Sequence, residues 1–272
     1  MILFIIYLIL IFTINNYFKK LNLLTSYSGS NHQKFANKVS TLSGGIFIFL
    51  PFLFIFFEFN LIFVISTSLL FLLGILSDTN ILYKPRLRFI LQFIILTYFV
   101  LSLKIEVFPT RIDFIDNNFQ NTYYSYFFTV FCLLILINGS NFIDGLNGLL
   151  LGYLILILFF IIKLDLASYI YTNNLEFNYF IFLLLFILVL NFSNVLFLGD
   201  SGSYSISFIV GYFLIIIYNK TNFISPYFII LLLWYPCFEN LFSILRKKNL
   251  SRSPLDPDIN HLHQIIFLYL KI

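Results

Sequence analysis

The chain alternates between long apolar runs and short polar breaks along almost its whole length. The apolar runs are continuous, without the alternation of a half-buried strand, and approach the roughly 20 residues that a helix needs to cross a bilayer. The predicted spans lie near residues 1–18, 44–60, 61–77, 89–104, 123–138, 149–164, 178–193, 204–219 and 225–245, and a short apolar tail follows at 265–272. The pattern therefore predicts an all-α, polytopic transmembrane helix bundle of about nine to ten spans.

Composition places this bundle in lipid rather than in water. Of the 272 residues, 60% are hydrophobic and only 10% are charged, whereas a soluble domain carries roughly 25% charged residues. The first run has no basic segment before it and no small-residue cleavage site, so we expect a retained span and not a secretory signal. Cys132 and Cys237 both lie in apolar runs, which predicts inert, buried thiols. We treat residues 1–272 as one integral-membrane domain.

The basic residues predict the orientation of the bundle. Of the 16 Lys and Arg residues, eleven lie in the loops that alternate spans place on one side, four lie on the other side, and Lys271 lies in the tail. Because cytoplasmic loops are enriched in Lys and Arg, the richer side is predicted to be inside and the N-terminus outside. The four basic residues assigned to the outside are Lys104, Arg111, Lys163 and Lys220.

Groups with catalytic chemistry are concentrated in the loops assigned to the inside. All three histidines of the chain fall there, together with five aspartates. These residues are His32, His261, His263, Asp78, Asp144, Asp200, Asp256 and Asp258. The outside loops contain no histidine, so the candidate catalytic loops are predicted to be cytoplasmic.

Two aspartates have no basic residue in their own loops to neutralise them. Asp144 lies in NGSNFIDGLNG (138–148) and Asp200 in FLGDSGS (197–203), each beside glycines that permit close backbone approach. A carboxylate at the edge of hydrocarbon costs several kcal/mol unless it is paired, and Mg²⁺ binds carboxylates together with water or phosphate oxygens. The alternative is that both aspartates only cap helices. Their joint position favours a divalent-cation site.

The basic run YKPRLR precedes a predicted span. Lys84, Arg86 and Arg88 would anchor the span against lipid headgroups, bind the phosphate of a lipid substrate, or do both.

Two further polar features remain open between alternatives. His261 and His263 stand two residues apart beside Asp256 and Asp258, which is compatible with a zinc site but favours contacts to a sugar or a diphosphate. Glu239 lies inside an apolar run, where it either serves the site or pairs with a neighbouring helix.

Three motifs in this order resemble the polyprenyl-phosphate N-acetylhexosamine-1-phosphate transferases of glycosyltransferase family 4. They are N-x-x-N-x-x-D-G-x-x-G-L at 138–149, F-L-G-D-S-G-S at 197–203 and S-P-L-D-P-D-I-N-H-L-H-Q at 253–264. The resemblance extends from about His32 to Gln264. It implies transfer of a sugar 1-phosphate from a UDP-N-acetyl sugar to a polyprenyl phosphate, undecaprenyl phosphate in bacteria, with UMP as the second product. It also implies Mg²⁺, with Mn²⁺ as the alternative ion.

The resemblance assigns roles to individual residues. Asp200 matches the metal-binding aspartate, with Asp144 as the second metal ligand, and Phe197 matches the aromatic residue near uracil. The catalytic set is Asp78, Asp144, Asp200, His261 and His263, and the substrate-binding set is Asn138, Asn141, Phe197, Lys84, Arg86, Arg88 and Asp258. The resemblance further implies a bacterial cytoplasmic membrane protein that contacts membrane lipids, binds no nucleic acid and forms a homodimer.

The sequence departs from the family pattern at four places. The family has two adjacent aspartates where this chain has Ser77 and Asp78, so the role of the first aspartate is open here. Asn147 replaces an acid of the family, and Thr41 replaces a proline. Relatives continue with at least one complete span after the histidine motif, which leads us to expect that the chain lacks a complete final span.

Two alternative functions follow from these features. The departures favour a truncated or inactive homologue, although Asp78, Asp144, Asp200, His261 and His263 are all retained. A transporter is less favoured, because its polar groups should lie near the bilayer midplane and not at the span ends. The sugar and the glycan pathway, whether of surface polysaccharide or cell wall, stay open.

Overall fold

The computed structural model describes residues 2–26, 40–107, 109–170, 174–221, 223–251 and 261–270. Within these ranges the chain forms α-helices, a 3-10 helix at Asn117–Gln120 and two short antiparallel strands, β1 (Thr25–Ser26) and β2 (Ser40–Thr41). The helices are α1 (Ile2–Lys20), α2 (Gly44–Phe56), α3 (Leu61–Asp78), α4 (Pro85–Leu103), α5 (Asp113–Asp116), α6 (Thr122–Ile143), α7 (Leu149–Lys163), α8 (Ala167–Ile170), α9 (Asn174–Phe192), α10 (Gly199–Lys220), α11 (Pro226–Leu232), α12 (Trp234–Asn249) and α13 (Leu262–Leu270).

The all-α, polytopic class predicted from the sequence is confirmed. Eight of the nine predicted spans each coincide with one apolar helix, and the ninth, 225–245, corresponds to the bent pair α11 and α12. Among the described residues, α3, α4, α6 and α10 are long and apolar enough to cross a membrane. Helices α11 and α12 meet at an angle of 75° and would together make a fifth span. Helices α2, α7 and most of α9 are shorter apolar helices. The total of nine to ten crossings and the orientation stay predictions.

Helix α10 is the centre of the bundle and is buried along almost its entire length. Helices α2, α3 and α6 surround it. The contact with α3 is so close that a Cβ atom at Gly74 would lie 2.2 Å from the Cα atom of Ser201. In a membrane, helices associate through such close packing of small residues, since lipid is as apolar as the helix surfaces. Glycine at position 74 therefore fixes the position of α10 against α3.

Helix α12 is held against α6 in the same manner. A Cβ atom at Gly139 would lie 1.9 Å from the carbonyl oxygen of Pro236, and the Asn240 amide donates a hydrogen bond to the carbonyl oxygen of Ile135 at 3.1 Å. The bend between α11 and α12 turns the second helix towards the end of α6. This packing places the polar face of α12 beside the loop that follows α6.

The helices reverse direction at short connections, so the ends of α3, α6, α9 and α12 meet the beginnings of α4, α7 and α10. We call this end of the bundle the site end and the opposite end the far end. The far half of the core is aromatic: the ring centroids of Phe56 and Phe213 are 5.6 Å apart, and those of Phe99 and Phe208 are 4.8 Å apart. All four rings are fully buried.

Candidate active site

Asp200 occupies the first turn of α10 and is almost completely buried. Its Oδ2 atom accepts a hydrogen bond from the Arg88 guanidinium at 2.7 Å and from the Ser77 hydroxyl at 2.5 Å. Arg88 also donates to the Ser77 oxygen at 2.5 Å, so the three side chains form a closed triangle. The tyrosine hydroxyl of Tyr204, one turn along α10, lies 3.3 Å from the same carboxylate oxygen. The negative charge of Asp200 is thereby compensated by a cation from the start of α4.

Asp78, the last residue of α3, binds the beginning of α10. Its two carboxylate oxygens accept hydrogen bonds from the backbone N–H groups of Asp200 at 2.8 Å and Ser201 at 3.1 Å. A carboxylate is favoured there because the first N–H groups of a helix lack partners and carry the positive end of the helix dipole. Gly199 has φ +74°, and a Cβ atom there would lie 2.7 Å from Asp78 Oδ2. Asp78 is therefore at the predicted site and holds Asp200 in place.

Asp144 follows directly after α6 and lines a small cavity together with Asp78, Asn147 and Phe197. Burial raises the pKa of Asp144 well above its ordinary value, and the nearby charges of Asp200 and Asp78 raise that pKa further. Within the part of the chain that the structure describes, the Asp144 side chain forms no hydrogen bond. A carboxylate in this setting favours a nearby cation or a proton.

The donor set at this cavity is compatible with Mg²⁺. Mg²⁺ is commonly bound by one or two carboxylates, with water and substrate phosphates completing the octahedron. Asp144 lines the cavity, and Asp200, which is not part of the lining, is near enough for its charge to raise the pKa of Asp144, so these two could supply that number of carboxylates. Asp78 also lines the cavity, but it is engaged with the backbone of α10. Among the described residues no group of three or more His, Cys, Asp or Glu is arranged to hold a metal. The remaining ligands of an ion held by one or two carboxylates would be water and phosphate oxygens.

The asparagines of the 138–148 segment divide into two groups. Asn138 donates to the Gln92 side-chain oxygen at 2.9 Å, and Asn147 donates to the side-chain oxygen of Asn194 at 2.5 Å, so both hold neighbouring helices together. The side-chain oxygen of Asn141, in contrast, is buried and has no hydrogen-bond partner among the described residues. Of the two asparagines predicted to bind substrate, Asn138 faces α4 and Asn141 keeps an available acceptor.

The histidine segment docks on α12 through Glu239. Glu239 Oε2 lies 2.9 Å from Nδ1 of His261, and Glu239 Oε1 accepts a hydrogen bond from the backbone N–H of Leu262 at 2.8 Å. The His261 ring also stacks on Phe142, with centroids 5.0 Å apart. Of the two roles that the sequence leaves open for Glu239, the structure shows the pairing, and the partner is itself a predicted site residue.

His263 is oriented towards the loop that contains Asp144. Its Nδ1 atom lies 3.1 Å from the Tyr235 hydroxyl, and its Nε2 atom would be 3.1 Å from a Cβ atom at Gly145. That Nε2 atom is buried without a partner among the described residues. Burial, followed by the charge of His261, lowers the pKa of His263 to about 4, so the imidazole is neutral near pH 7. It can accept one hydrogen bond from a ligand or donate one, according to its tautomer.

Of the three basic residues in the run YKPRLR, only Arg88 contacts an aspartate of the site among the described residues. Arg88 contacts Asp200, whereas Lys84 and Arg86 are exposed at the beginning of α4. A cation that the sequence did not single out is Lys247, which is buried with its ammonium group 5.5 Å from the centre of the Phe142 ring. Its signal in the sequence is periodic: Glu239, Ser243 and Lys247 recur every four residues of α12, which places them on one face, and the structure buries all three.

Several predicted residues cannot be placed relative to this site. Asp258, assigned to substrate binding, lies outside the described residues, as do Asp256 and His32.

Phe197 is at the predicted site. It is buried, its N–H donates to the carbonyl oxygen of Thr41 at 2.7 Å, and it borders the Asp144 cavity. The predicted residues that do come together are Asp78, Asp144, Asp200, Arg88, Phe197, His261, His263 and Asn141.

Comparison with known proteins agrees with this arrangement. A 26% identical relative over 212 residues is the probable undecaprenyl-phosphate N-acetylglucosaminyl 1-phosphate transferase of Bacillus subtilis (strain 168). The match covers 75% of this chain and 57% of the relative, so the chain spans little more than half of that protein. The profile of glycosyl transferase family 4 matches residues 60–218, which include Asp78, Asp144 and Asp200. The chain therefore belongs to glycosyl transferase family 4.

Proposed function

We propose that the protein transfers an N-acetylhexosamine 1-phosphate from a UDP-sugar to a polyprenyl phosphate, undecaprenyl phosphate in bacteria. A phosphate oxygen of the lipid attacks the sugar-bearing phosphorus of the UDP-sugar. The bond between that phosphorus and the bridging oxygen breaks, and UMP leaves with the electron pair. The product is a polyprenyl-diphospho-sugar, the first lipid-linked intermediate of a cell-surface glycan.

The observation that carries this proposal is the convergence of three aspartates from three different helices at one end of a membrane bundle. Asp78 ends α3, Asp144 follows α6 and Asp200 begins α10. Phosphoryl transfer needs positioning and charge neutralisation more than covalent chemistry by the protein. Membership of the family and the name of the Bacillus subtilis relative support the same reaction.

In the proposed reaction, Asp144 and Asp200 hold the metal ion. Mg²⁺, when bound, neutralises negative charge on the diphosphate and polarises its oxygens. Arg88 holds Asp200 from the side of α4, while the backbone bonds to Asp78 fix the first turn of α10. Phe197 borders the same cavity and offers a face to a base, and Asn141 and His263 offer polar atoms to the sugar diphosphate.

Ser77 is compatible with this reaction even though it replaces an aspartate of the family. Its hydroxyl donates to Asp200 and accepts from Arg88, so it connects the two charged residues. Serine is a poor base. The acceptor, a phosphate monoester, is already ionised near neutral pH, and its attacking oxygen needs no deprotonation.

In the proposed orientation the site end faces the cytoplasm. The excess of Lys and Arg in the loops of that end supports it. A reporter enzyme fused after residue 252 should be active in the cytoplasm, and a signal from the opposite side would reverse the orientation.

The decisive experiment is UMP release by the purified full chain in detergent. The assay contains undecaprenyl phosphate, Mg²⁺ and a panel of UDP-N-acetyl sugars, each also run without lipid and with a chelator. UMP release with one donor, dependent on both lipid and metal, would establish the reaction and the sugar together. Absence of UMP from folded protein across the whole panel would contradict the proposal and favour the inactive homologue.

A further inference from the structure

A second polar pocket lies at the far end of the bundle. It has a volume of about 480 Å³ and lies between the segment that follows α4 and the end of α10. Lys104, Glu106 and Arg111 line it from the first segment, and Tyr218 and Asn219 line it from the second. None of these residues contributes to the aspartate site.

The lengths of the flanking helices place this pocket at the opposite membrane surface. Helices α4 and α10 have 19 and 22 residues, both begin at the site end, and both end at the pocket. At 1.5 Å per residue they extend about 30 Å, which equals the thickness of the hydrocarbon core. A ligand of this pocket would therefore meet the headgroup region of the other leaflet.

The pocket gathers positive charge on a face that is otherwise poor in it. Lys104 and Arg111 are two of the four basic residues that the sequence assigns to this side. Neither forms an ion pair in the part of the chain that the structure describes. Glu106 is the acid of the lining, and Asp116, outside the lining, binds the backbone of the Arg111 segment. The lining itself thus presents two cations to an anionic group.

The segment that carries Arg111 is held in place by hydrogen bonds. Asp116 accepts from the backbone N–H groups of Thr110 at 2.8 Å and Arg111 at 2.9 Å. The hydroxyl of Tyr227 donates to the carbonyl oxygen of Arg111 at 3.1 Å, and the Asn219 amide donates to that of Glu106 at 2.8 Å. A pre-organised pocket loses less conformational entropy when it binds a ligand.

Exposed aromatic side chains stand beside the charged pocket. Phe223 is 69% exposed and immediately precedes Ile224, which lines the pocket, and Tyr227 is 53% exposed. Aromatic residues prefer the interface between headgroups and acyl chains. The basic residues in the pocket could bind an anionic headgroup, and the aromatic side chains at its edge could contact acyl chains. Both features are expected of a site for an anionic lipid.

We propose that this pocket binds the phosphate of an anionic phospholipid in the leaflet opposite the site end. The ammonium of Lys104 and the guanidinium of Arg111 contact the phosphate oxygens, and the acyl chains lie along Phe223 and Tyr227. Inorganic phosphate presents the same chemistry from the aqueous side, and the experiment distinguishes the two sources.

The test measures lipid binding to the delipidated full chain in detergent by native mass spectrometry. Wild type and the double variant Lys104→Gln/Arg111→Gln are titrated with dioleoylphosphatidylglycerol and, separately, dioleoylphosphatidylcholine. We expect the double variant to lose one phosphatidylglycerol site or to bind it roughly thirtyfold more weakly, since each interfacial cation contributes about a factor of five. Phosphatidylcholine, which has no net charge, should show no difference between the two proteins.

Three controls make the result decisive. Lys163→Gln removes a basic residue from the same face outside the pocket and should bind phosphatidylglycerol as wild type does. Arg111→Lys keeps the charge and should retain most of the binding, which shows that the loss does not come from misfolding. Equal phosphatidylglycerol binding by the double variant and Lys163→Gln would overturn the proposal. Displacement of the lipid by an equal concentration of inorganic phosphate would overturn the assignment to a lipid.

Discussion

Helix α10 begins among charged and hydroxyl groups and continues between phenylalanine rings in its middle. At its first turn Asp200 contacts Ser77 and Arg88, and the backbone contacts Asp78. About two to four turns later, Phe208 and Phe213 pack against rings from α2, α3 and α4. The first half is specified by directional bonds between residues far apart in sequence, whereas the second half is specified by shape and volume. Chemistry and stability are therefore separated along a single helix.

The two halves should respond differently to substitution. Buried charged groups tolerate little change, because loss of one partner leaves the other uncompensated. Aromatic packing tolerates volume-conserving change at a modest cost in stability. Four substitutions test this separation, each with a control at a matched position.

The largest effect is expected from Asp200→Asn. Asparagine keeps the shape but removes the charge that faces Arg88 and the proposed metal ion, so UMP release should fall by about a thousandfold or more. The melting temperature should also fall, because Arg88 loses its charged partner even though the amide oxygen can still accept from Ser77. Asp113→Asn, which alters an exposed acid at the far end, should leave turnover unchanged. Turnover of Asp200→Asn at the wild-type rate would remove Asp200 from the proposed metal site.

Gly74→Ala should reduce stability and, because the close approach is to the first turn of α10 beside Asp200, turnover as well. The added Cβ atom would lie 2.2 Å from the Cα atom of Ser201, so α3 and α10 would have to separate. Overpacking of this kind costs about 1–3 kcal/mol and should lower the melting temperature by several degrees. In Gly152→Ala the added atom meets only a side-chain carbon at 3.9 Å, so that variant should melt as wild type does. Equal melting of the two variants would show that the close approach at Gly74 is not required.

Glu239→Gln tests the bond between α12 and the histidine segment. The glutamine can still accept from the N–H of Leu262 but no longer presents a charge to His261. We expect turnover to fall about tenfold, the equivalent of one charge-assisted hydrogen bond, together with a fall in melting temperature, because the buried His261 loses its charged partner. Glu58→Gln, an exposed acid at the far end, is the control. A fall in melting temperature with unchanged turnover would reduce Glu239 to a purely structural role.

The sequence predicted the helices, the membrane class and most of the polar residues that the structure brings together at the site end. Apolar runs and motif order carry that information locally. It was not sufficient for the pairing of those residues, because Arg88 and Asp200 are 112 positions apart and Asp78 and the N–H of Asp200 are 122 positions apart. The sequence also could not show that Asn138 contacts α4. A polar residue at the end of a span gives the same sequence pattern whether it faces a substrate or another helix.

The smallest effect is expected at the far end, from Phe56→Leu. Phe56 is fully buried and makes edge-on contact with Phe180 at 5.3 Å, so leucine would lose ring contacts and leave a small void. The melting temperature should fall by the equivalent of about 1 kcal/mol, while turnover at permissive temperature should equal that of wild type. Phe54→Leu, a change to an 88% exposed ring of the same helix, should alter neither quantity. A tenfold loss of turnover in folded Phe56→Leu would show that packing at the far end is transmitted along α10 to Asp200, and the two halves would then not be independent.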